Sequence, residues 1–222
     1  MVRLVCLSDT HSKHKQVPIP DGDILIHAGD LTPRGNYYDF ISVGKWFESL
    51  KERFKHRIFI AGNHDFGLES DRQLILKSHF DRDVIYLQDS GVELEGIKFW
   101  GSPWVNQFYN WAFMKEEDDL ALHWEAISDD TQVLITHGPP FGILDTNKDE
   151  VDKETGIPDR CGSKTLLDRV MQLPNLKHHI FGHIHDHGGK DWQIGYKMFH
   201  NVAALNYMYR YQNAPTVIDV VP

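Results

Sequence analysis

Eight short apolar runs punctuate this chain, and they leave few folds open. They are residues 3–8 (RLVCLS), 24–28 (ILIHA), 57–61 (RIFIA), 84–87 (VIYL), 97–100 (IKFW), 133–136 (VLIT), 179–181 (HIF) and 216–221 (TVIDVV). Each has the length of a strand buried on both faces. Helical spacing fills several intervals. Phe40, Val43, Phe47, Leu50 and Phe54 form one apolar stripe, and Leu120, Trp124 and Ile127 form another behind the acidic opening 116–119. Ser163 reads as the cap of a helix carrying Leu166, Leu167, Val170 and Met171. Residues 92–101 read as a hairpin turning near Glu95 and Gly96. Strand–helix alternation with hairpins in the middle and at the end predicts an α/β fold of mixed sheets with helices outside. No repeat, low-complexity tract or linker divides the sequence, so a single domain over 1–222 is expected.

Composition excludes more than it proposes. The 222 residues carry 32 acids against 23 Lys and Arg, a net charge of −9. That balance argues against sequence-blind binding to a nucleic-acid polymer, which needs a basic face. It does not exclude a small anion held by local charge. No run approaches the roughly 18–20 apolar residues of a membrane span. The amino-terminal segment meets Asp9 too soon for a signal peptide. Cys6 and Cys161 are the two cysteines and form no CxxC pair, so neither a disulfide framework nor a thiolate zinc site is expected; a cytoplasmic setting is.

The chemistry lies where the runs stop. They end in Asp9-Thr10-His11, Gly29-Asp30, Gly62-Asn63-His64-Asp65, His137-Gly138 and Gly182-His183-Ile184-His185. Open α/β sheets bind ligands at the carboxyl ends of their strands. One such element is weak; five in order are not. Seven side chains offer metal ligands: Asp9, His11, Asp30, Asn63, His137, His183 and His185. With one bridging carboxylate they supply two ions with four protein ligands each. Imidazole, carboxylate and amide donors without thiolate suit Mn²⁺ foremost, then Fe, Zn, Co or Ni. Such a pair acidifies a bridging water and clamps both oxygens of an in-line phosphoryl displacement.

These motifs, from residue 9 to 185, resemble the calcineurin-like metallophosphoesterase superfamily. The segments 8–12 (SDTHS), 101–104 (GSPW), 136–140 (THGPP) and 160–162 (RCG) resemble its small metallophosphoesterase-domain branch of brain-type and microbial members. The resemblance implies a four-layer αββα sandwich. It implies Asp9, His11, Asp30 and His185 on one metal, and Asp30, Asn63, His137 and His183 on the other, with Asp30 bridging. It also implies a catalytic His64 facing the leaving group, its ring oriented by Asp65. The activity implied is hydrolysis of small phosphodiesters, cyclic nucleotides (2′,3′- or 3′,5′-) foremost, by in-line attack of a metal-bridging hydroxide.

Alternatives stand beside several residues. His64 is either a catalytic acid or a histidine that only positions Asn63. Asp65 is either its partner or a turn or cap residue. Trp104, Phe108 and Trp111 either wall the substrate cleft or cover a sheet edge. Lys13, His14 and Lys15 either reach a phosphate or form a solvated loop, and His187 is either an outer partner of the ligands or part of a mobile turn before Gly188 and Gly189. Cys161 either lines the pocket or packs near the following helix, and His27, His56, His79 and His123 read as core or surface residues. A phosphomonoesterase, a protein phosphatase, a nuclease or a non-catalytic interaction module of the same fold would share these motifs. The sequence assigns no oligomeric state.

Overall fold

A computed structural model describes residues 1–151 and 158–222. The part of the 138–162 segment at 152–157, expected to shape the pocket, lies outside the described residues. The chain runs β1 (Val2–Leu7), β2 (Ile24–Ala28), α1 (Asp39–Ser49), β3 (His56–Ile60), α2 (Phe66–Ser70), α3 (Arg72–His79), β4 (Val84–Tyr86), β5 (Ser90–Leu94), β6 (Ile97–Ser102), β7 (Val105–Asn106), β8 (Met114–Lys115) and α4 (Glu117–Glu125). It continues through β9 (Val133–Thr136), β10 (Thr146–Val151), β11 (Pro158–Arg160), α5 (Lys164–Gln172), β12 (His178–Phe181), β13 (Lys190–Ile194), β14 (Lys197–Asn201) and β15 (Thr216–Val220).

Two mixed sheets form the centre. One has the order β15-β1-β2-β3-β4, the other β13-β14-β12-β9-β6-β5. In the first, β1 to β4 are parallel and β15 joins antiparallel at the edge. In the second, β6, β9, β12 and β14 are parallel, flanked by antiparallel β5 and β13. Because side chains alternate along a strand, the central apolar runs serve two cores. Leu4, Cys6, Ile24, Ile26, Ile58 and Ile60 meet Phe99, Val133, Ile135 and Ile180 between the sheets. On the other face of the first sheet, Val5, Leu7, Leu25 and Phe59 pack on Phe40, Val43 and Phe47 of α1 and Ile75 of α3. On the outer face of the second, Leu134, Phe181 and Phe199 pack on Leu120 and Trp124 of α4 and Leu166 and Val170 of α5. The expected helix–sheet–sheet–helix sandwich is therefore present.

Local signals account for most boundaries. Ser163 Oγ accepts the Leu166 amide at 3.1 Å, capping α5. Glu117 at the start of α4 accepts from Thr165 N at 2.8 Å and Ser163 Oγ at 2.7 Å, tying the two outer helices together. Burial would raise the Glu117 carboxyl, but these donors hold it below its ordinary value. The β5–β6 hairpin turns at Glu95 and Gly96 as expected. Four features lack an apolar run and are additions: the β13–β14 hairpin, the β7–β8 pair, the β10–β11 ribbon and the short helices α2 and α3. Strand β13 (KDWQI) is largely exposed, so its sequence shows no apolar alternation. Among the described residues no helix is long and apolar enough to cross a membrane.

Candidate metal centre

The parallel strands β1, β2 and β3 of one sheet and β9 and β12 of the other deliver their carboxyl ends to one place. The turns there are strained. Asp9 (φ 53°), His11 (φ 40°), Asp30 (φ 55°) and His183 (φ 66°) all lie in the left-handed region. Each such non-glycine residue costs about 1–2 kcal/mol, a cost that persists only where the surroundings over-determine the conformation. Here neighbouring loops lock one another: Asp9 N donates to Gly29 O at 3.0 Å, His11 N to Asp30 O at 3.1 Å and Gly182 N to His137 O at 2.9 Å. Two glycines admit the side chains this closely. A Cβ on Gly62 would stand 2.3 Å from Asp30 Oδ1, and one on Gly182 would stand 2.1 Å from Asp9 Oδ2.

Asp9 and Asp30 are buried at the centre, 0% and 2% exposed. Asp9 accepts the His183 amide at 3.0 Å and the Ser8 hydroxyl. Asp30 Oδ1 accepts the His64 amide at 2.9 Å. Imidazoles surround them in one consistent orientation. His137 Nδ1 donates to Ala28 O at 2.9 Å, His185 Nδ1 to Asn206 O at 2.9 Å and His64 Nδ1 to Pro33 O at 2.8 Å. A carbonyl can only accept, so each Nδ1 carries the proton and each Nε2 presents its lone pair. Those lone pairs converge on acceptors. His137 Nε2 lies 3.0 Å from Asn63 Oδ1 and 3.3 Å from Asp30 Oδ1. His185 Nε2 lies 3.3 Å from Asp9 Oδ1 and 3.4 Å from His11 Nε2. His11 Nε2 and His64 Nε2 approach Asp30 Oδ2 at 3.7 and 3.9 Å.

Acceptor facing acceptor in a buried site is unfavourable unless a cation lies between. A proton is one such cation: burial would lower His137, yet Asp30 raises it to about 9. Burial would likewise raise both carboxyls, but His137 drives Asp30 well below the carboxylate range, and His185 and His137 lower Asp9. His11 and His183, pushed by burial to about 4 and about 3, are neutral ligands in waiting. The donors form three tight groups, Asp9–His11–His185, His11–Asp30–His64 and Asp9–Asp30–His137, each with ligand atoms within 4.8 Å of one another. The donor set thus fits a divalent transition metal. Over it opens a cavity of about 680 Å³.

Comparisons with known proteins give the family and the fold. The family model for the calcineurin-like phosphoesterase matches residues 2–187. The chain belongs to the calcineurin-like phosphoesterase family. It is 38% identical to a UPF0046 protein of Caenorhabditis elegans, over 99% of this chain and 81% of that protein. It is 33% identical to metallophosphoesterase domain-containing protein 1 of Homo sapiens, over 98% of this chain and 71% of that protein. The crystal structure of TT1561 of Thermus thermophilus shares the fold, with a TM-score of 0.60 over 90% of both chains at 11% identity.

This calcineurin-like phosphoesterase departs from the expected site in particular places. Asp65 does not orient His64. Its buried carboxylate accepts from Gly62 N at 2.9 Å, Leu31 N at 3.2 Å, Thr32 N at 3.0 Å and Thr32 Oγ1 at 2.7 Å, while burial and Asp30 hold it up at about 7. It staples the loops after β2 and β3, whereas Pro33 O and the Trp111 ring, 4.3 Å away, set His64. Asp65 precedes α2 without a side-chain cap bond. His183 enters by its backbone amide on Asp9, and its ring packs on His137 at 5.1 Å, beside the three tight groups. The aromatic segment divides: Phe108 and Trp111 line the cavity, with Phe108 5.7 Å from the His183 ring. Trp104 instead gives its indole N–H to Asp89 at 2.8 Å and stacks on His123.

Lys13, His14 and Lys15 are not a solvated loop throughout, since His14 is buried against Trp46 and bonded to Ser42 Oγ at 3.2 Å. His187 is held rather than loose, with its Nε2 2.8 Å from Thr146 Oγ1. Cys161 lines the cavity. His27 is a buried core residue. Sequence reasoning missed Tyr207, Tyr209 and Asn206. They lie past β14, whose residues 197–201 (KMFHN) form no apolar run behind which a motif would stand out, and only Asn206 with its neighbouring tyrosines hints at a tight aromatic turn.

Proposed function

We propose that this protein is a dinuclear metal-dependent phosphodiesterase acting on small phosphodiesters, cyclic nucleotides foremost. The observation that carries the reading is the convergence of Nε2 lone pairs on two buried carboxylates at the floor of an open cavity. Asp9, His11, Asp30 and His185 would hold one ion, and Asp30, Asn63, His137 and His183 the other, with Mn²⁺ the favoured metal. When bound, the ions supply Lewis acidity toward the phosphoryl oxygens and make water a nucleophile near neutral pH.

The chain supplies the rest. His64, with Nδ1–H fixed on Pro33 O, holds Nε2 at the cavity wall, where in its protonated form it donates to the leaving oxygen. Asp65 acts indirectly, by holding the Asp30 and Asn63 loops in register. A cavity of about 680 Å³ walled by Phe108, Trp111 and Tyr209 suits a ligand of nucleotide size with one aromatic face. Two cysteines without a CxxC pair go with a cytosolic setting.

The test reconstitutes metal-free protein with Mn²⁺ and offers bis(p-nitrophenyl) phosphate, p-nitrophenyl phosphate, and 2′,3′- and 3′,5′-cyclic nucleotides under one condition. Diester turnover above monoester turnover is expected, with a cyclic nucleotide among the substrates. A preference for the monoester, or no turnover with any first-row metal, rejects the reading.

A further inference from the structure

The loop after β14 carries a second layer over the metal centre. Tyr209 is 42% exposed and lines the cavity. Its ring meets the His11 ring edge-on at 4.8 Å and the His185 ring at 5.3 Å, with His64 at 6.5 Å. Its backbone is in the left-handed region, φ 56°. The conformation is enforced from several sides. Asn206 Oδ1 accepts from Met208 N at 3.0 Å and Arg210 N at 3.1 Å, closing the turn. One carbonyl, Asn206 O, accepts both the Tyr209 amide at 2.8 Å and the His185 Nδ1–H at 2.9 Å. Lys13, two residues beyond His11, gives its ammonium to Tyr209 O. The loop is thus tied to the His185 imidazole and to the segment that carries His11, and the Tyr209 ring rests on both imidazoles.

We propose that Tyr209 is a positioning residue that latches the Asp9–His11–His185 side of the centre, slowing loss of the ion held there. This rests on the dinuclear reading above. A ring packed against two ligand rings resists the rotations that let imidazoles release an ion, and it excludes the water or chelator that would replace them. Among the described residues the ring over the other half stands farther off: Phe108 lies 5.7 Å from the His183 ring and is 46% exposed. The residue stands in a backbone region that disfavours any side chain except glycine or asparagine, so selecting a tyrosine there has a cost that the ring must repay.

The experiment follows metal leaving Mn²⁺-loaded protein into excess chelator, counting equivalents released against time. Wild type is expected to release two equivalents in separate phases. Tyr209→Gly keeps the turn and deletes the ring, and one phase should accelerate on the order of tenfold, the size typical of losing a ligand-supporting group. Tyr209→Phe keeps the ring and should match wild type, and Phe108→Ala should leave the accelerated phase unchanged. Should Tyr209→Gly fail to fold, Tyr209→Asn tolerates the same backbone and asks the same question. Wild-type release rates in the ring-deleted protein, or equal acceleration in Tyr209→Phe, overturn the latch. A single equivalent bound by wild type refutes the dinuclear reading instead, and its release rate in Tyr209→Gly still decides the latch.

Discussion

Two histidine clusters in this molecule obey opposite rules. At the edge of the second sheet, His178 Nδ1 lies 3.1 Å from His200 Nε2, and His200 Nδ1 lies 2.8 Å from Asp191 Oδ1. The chain has a direction: His178 donates to His200, and His200 donates to the carboxylate. Every ring nitrogen that meets another group meets the opposite kind, so the cluster needs no ion. Burial and His200 lower His178 to about 4, and burial lowers His200 as well, so both are neutral near pH 7. At the strand ends, by contrast, backbone carbonyls take the Nδ1 protons of His137, His185 and His64, and the lone pairs are left facing oxygens. The same residue type builds a satisfied structural chain in one place and a seat for positive charge in the other. The presence of histidine decides nothing; what faces Nε2 does, an N–H donor at His200 and oxygen acceptors at His137 and His185.

The largest test of that contrast removes one acid from each cluster. Asp30→Ala should abolish stoichiometric metal uptake and cut phosphoesterase turnover on the order of 10²–10³-fold, as loss of one electrostatic stabiliser does in other enzymes. Asp191→Ala should leave metal content and turnover within about twofold, since a satisfied edge cluster lies outside the reaction. Metal analysis of the dialysed proteins beside initial rates checks both. Equal metal content in Asp30→Ala and wild type would break the comparison.

A smaller effect separates the neutral core histidines from the centre. His27 and His179 are fully buried, each bonded through Nε2 to a threonine hydroxyl at 3.0 and 2.8 Å, and burial holds both at about 3. An unfolded histidine titrates near 6.5. Between those values the unfolded chain binds more protons than the folded one, so stability is complete above about pH 6.5 and falls as pH drops. At pH 5 each should cost about 2 kcal/mol relative to pH 7.5. Urea midpoints of the metal-free protein at the two pH values measure it, and His179→Phe should flatten the slope. A slope left unchanged by His179→Phe would show that this histidine is not held neutral in the fold.

The smallest change sharpens the edge cluster itself. Asp191→Asn weakens one half-exposed hydrogen bond to His200 and should lower stability by about 0.5–1 kcal/mol, with metal release unaltered. Thermal melts of loaded and metal-free protein should shift together; a shift confined to the loaded form would mean that the two clusters communicate.

Much of the fold and of the site is legible in the sequence. The eight apolar runs all became strands because burial on both faces demands continuous apolar sequence. Phe40 to Phe47, Leu120 with Trp124, and Ser163 marked α1, α4 and the start of α5 through spacing and capping. The exposed edge strand β13 was not legible, since a strand at a sheet edge can be polar throughout. The donor residues were legible because each sits directly behind a buried run. Their partners were not. Asp65 follows His64 in sequence yet turns into the neighbouring loop, and the carbonyl that orients His64 comes from Pro33, 31 residues away. Trp104 and Trp111 share one segment yet part company, one to Asp89 and the other to His64.

Sequence by itself determined the α/β class, the strand ends that carry ligands, and a donor set of imidazole, carboxylate and amide that suits a transition metal. Those are properties of residue type and short spacing, which the chain carries locally. Tertiary structure alone decided which nitrogen of each imidazole is free, which aromatic rings wall the cavity, and that Tyr209 lies over His11 and His185. Each of those depends on a contact between loops distant in sequence, and such a contact exists only once the two sheets have packed and brought their strand ends together.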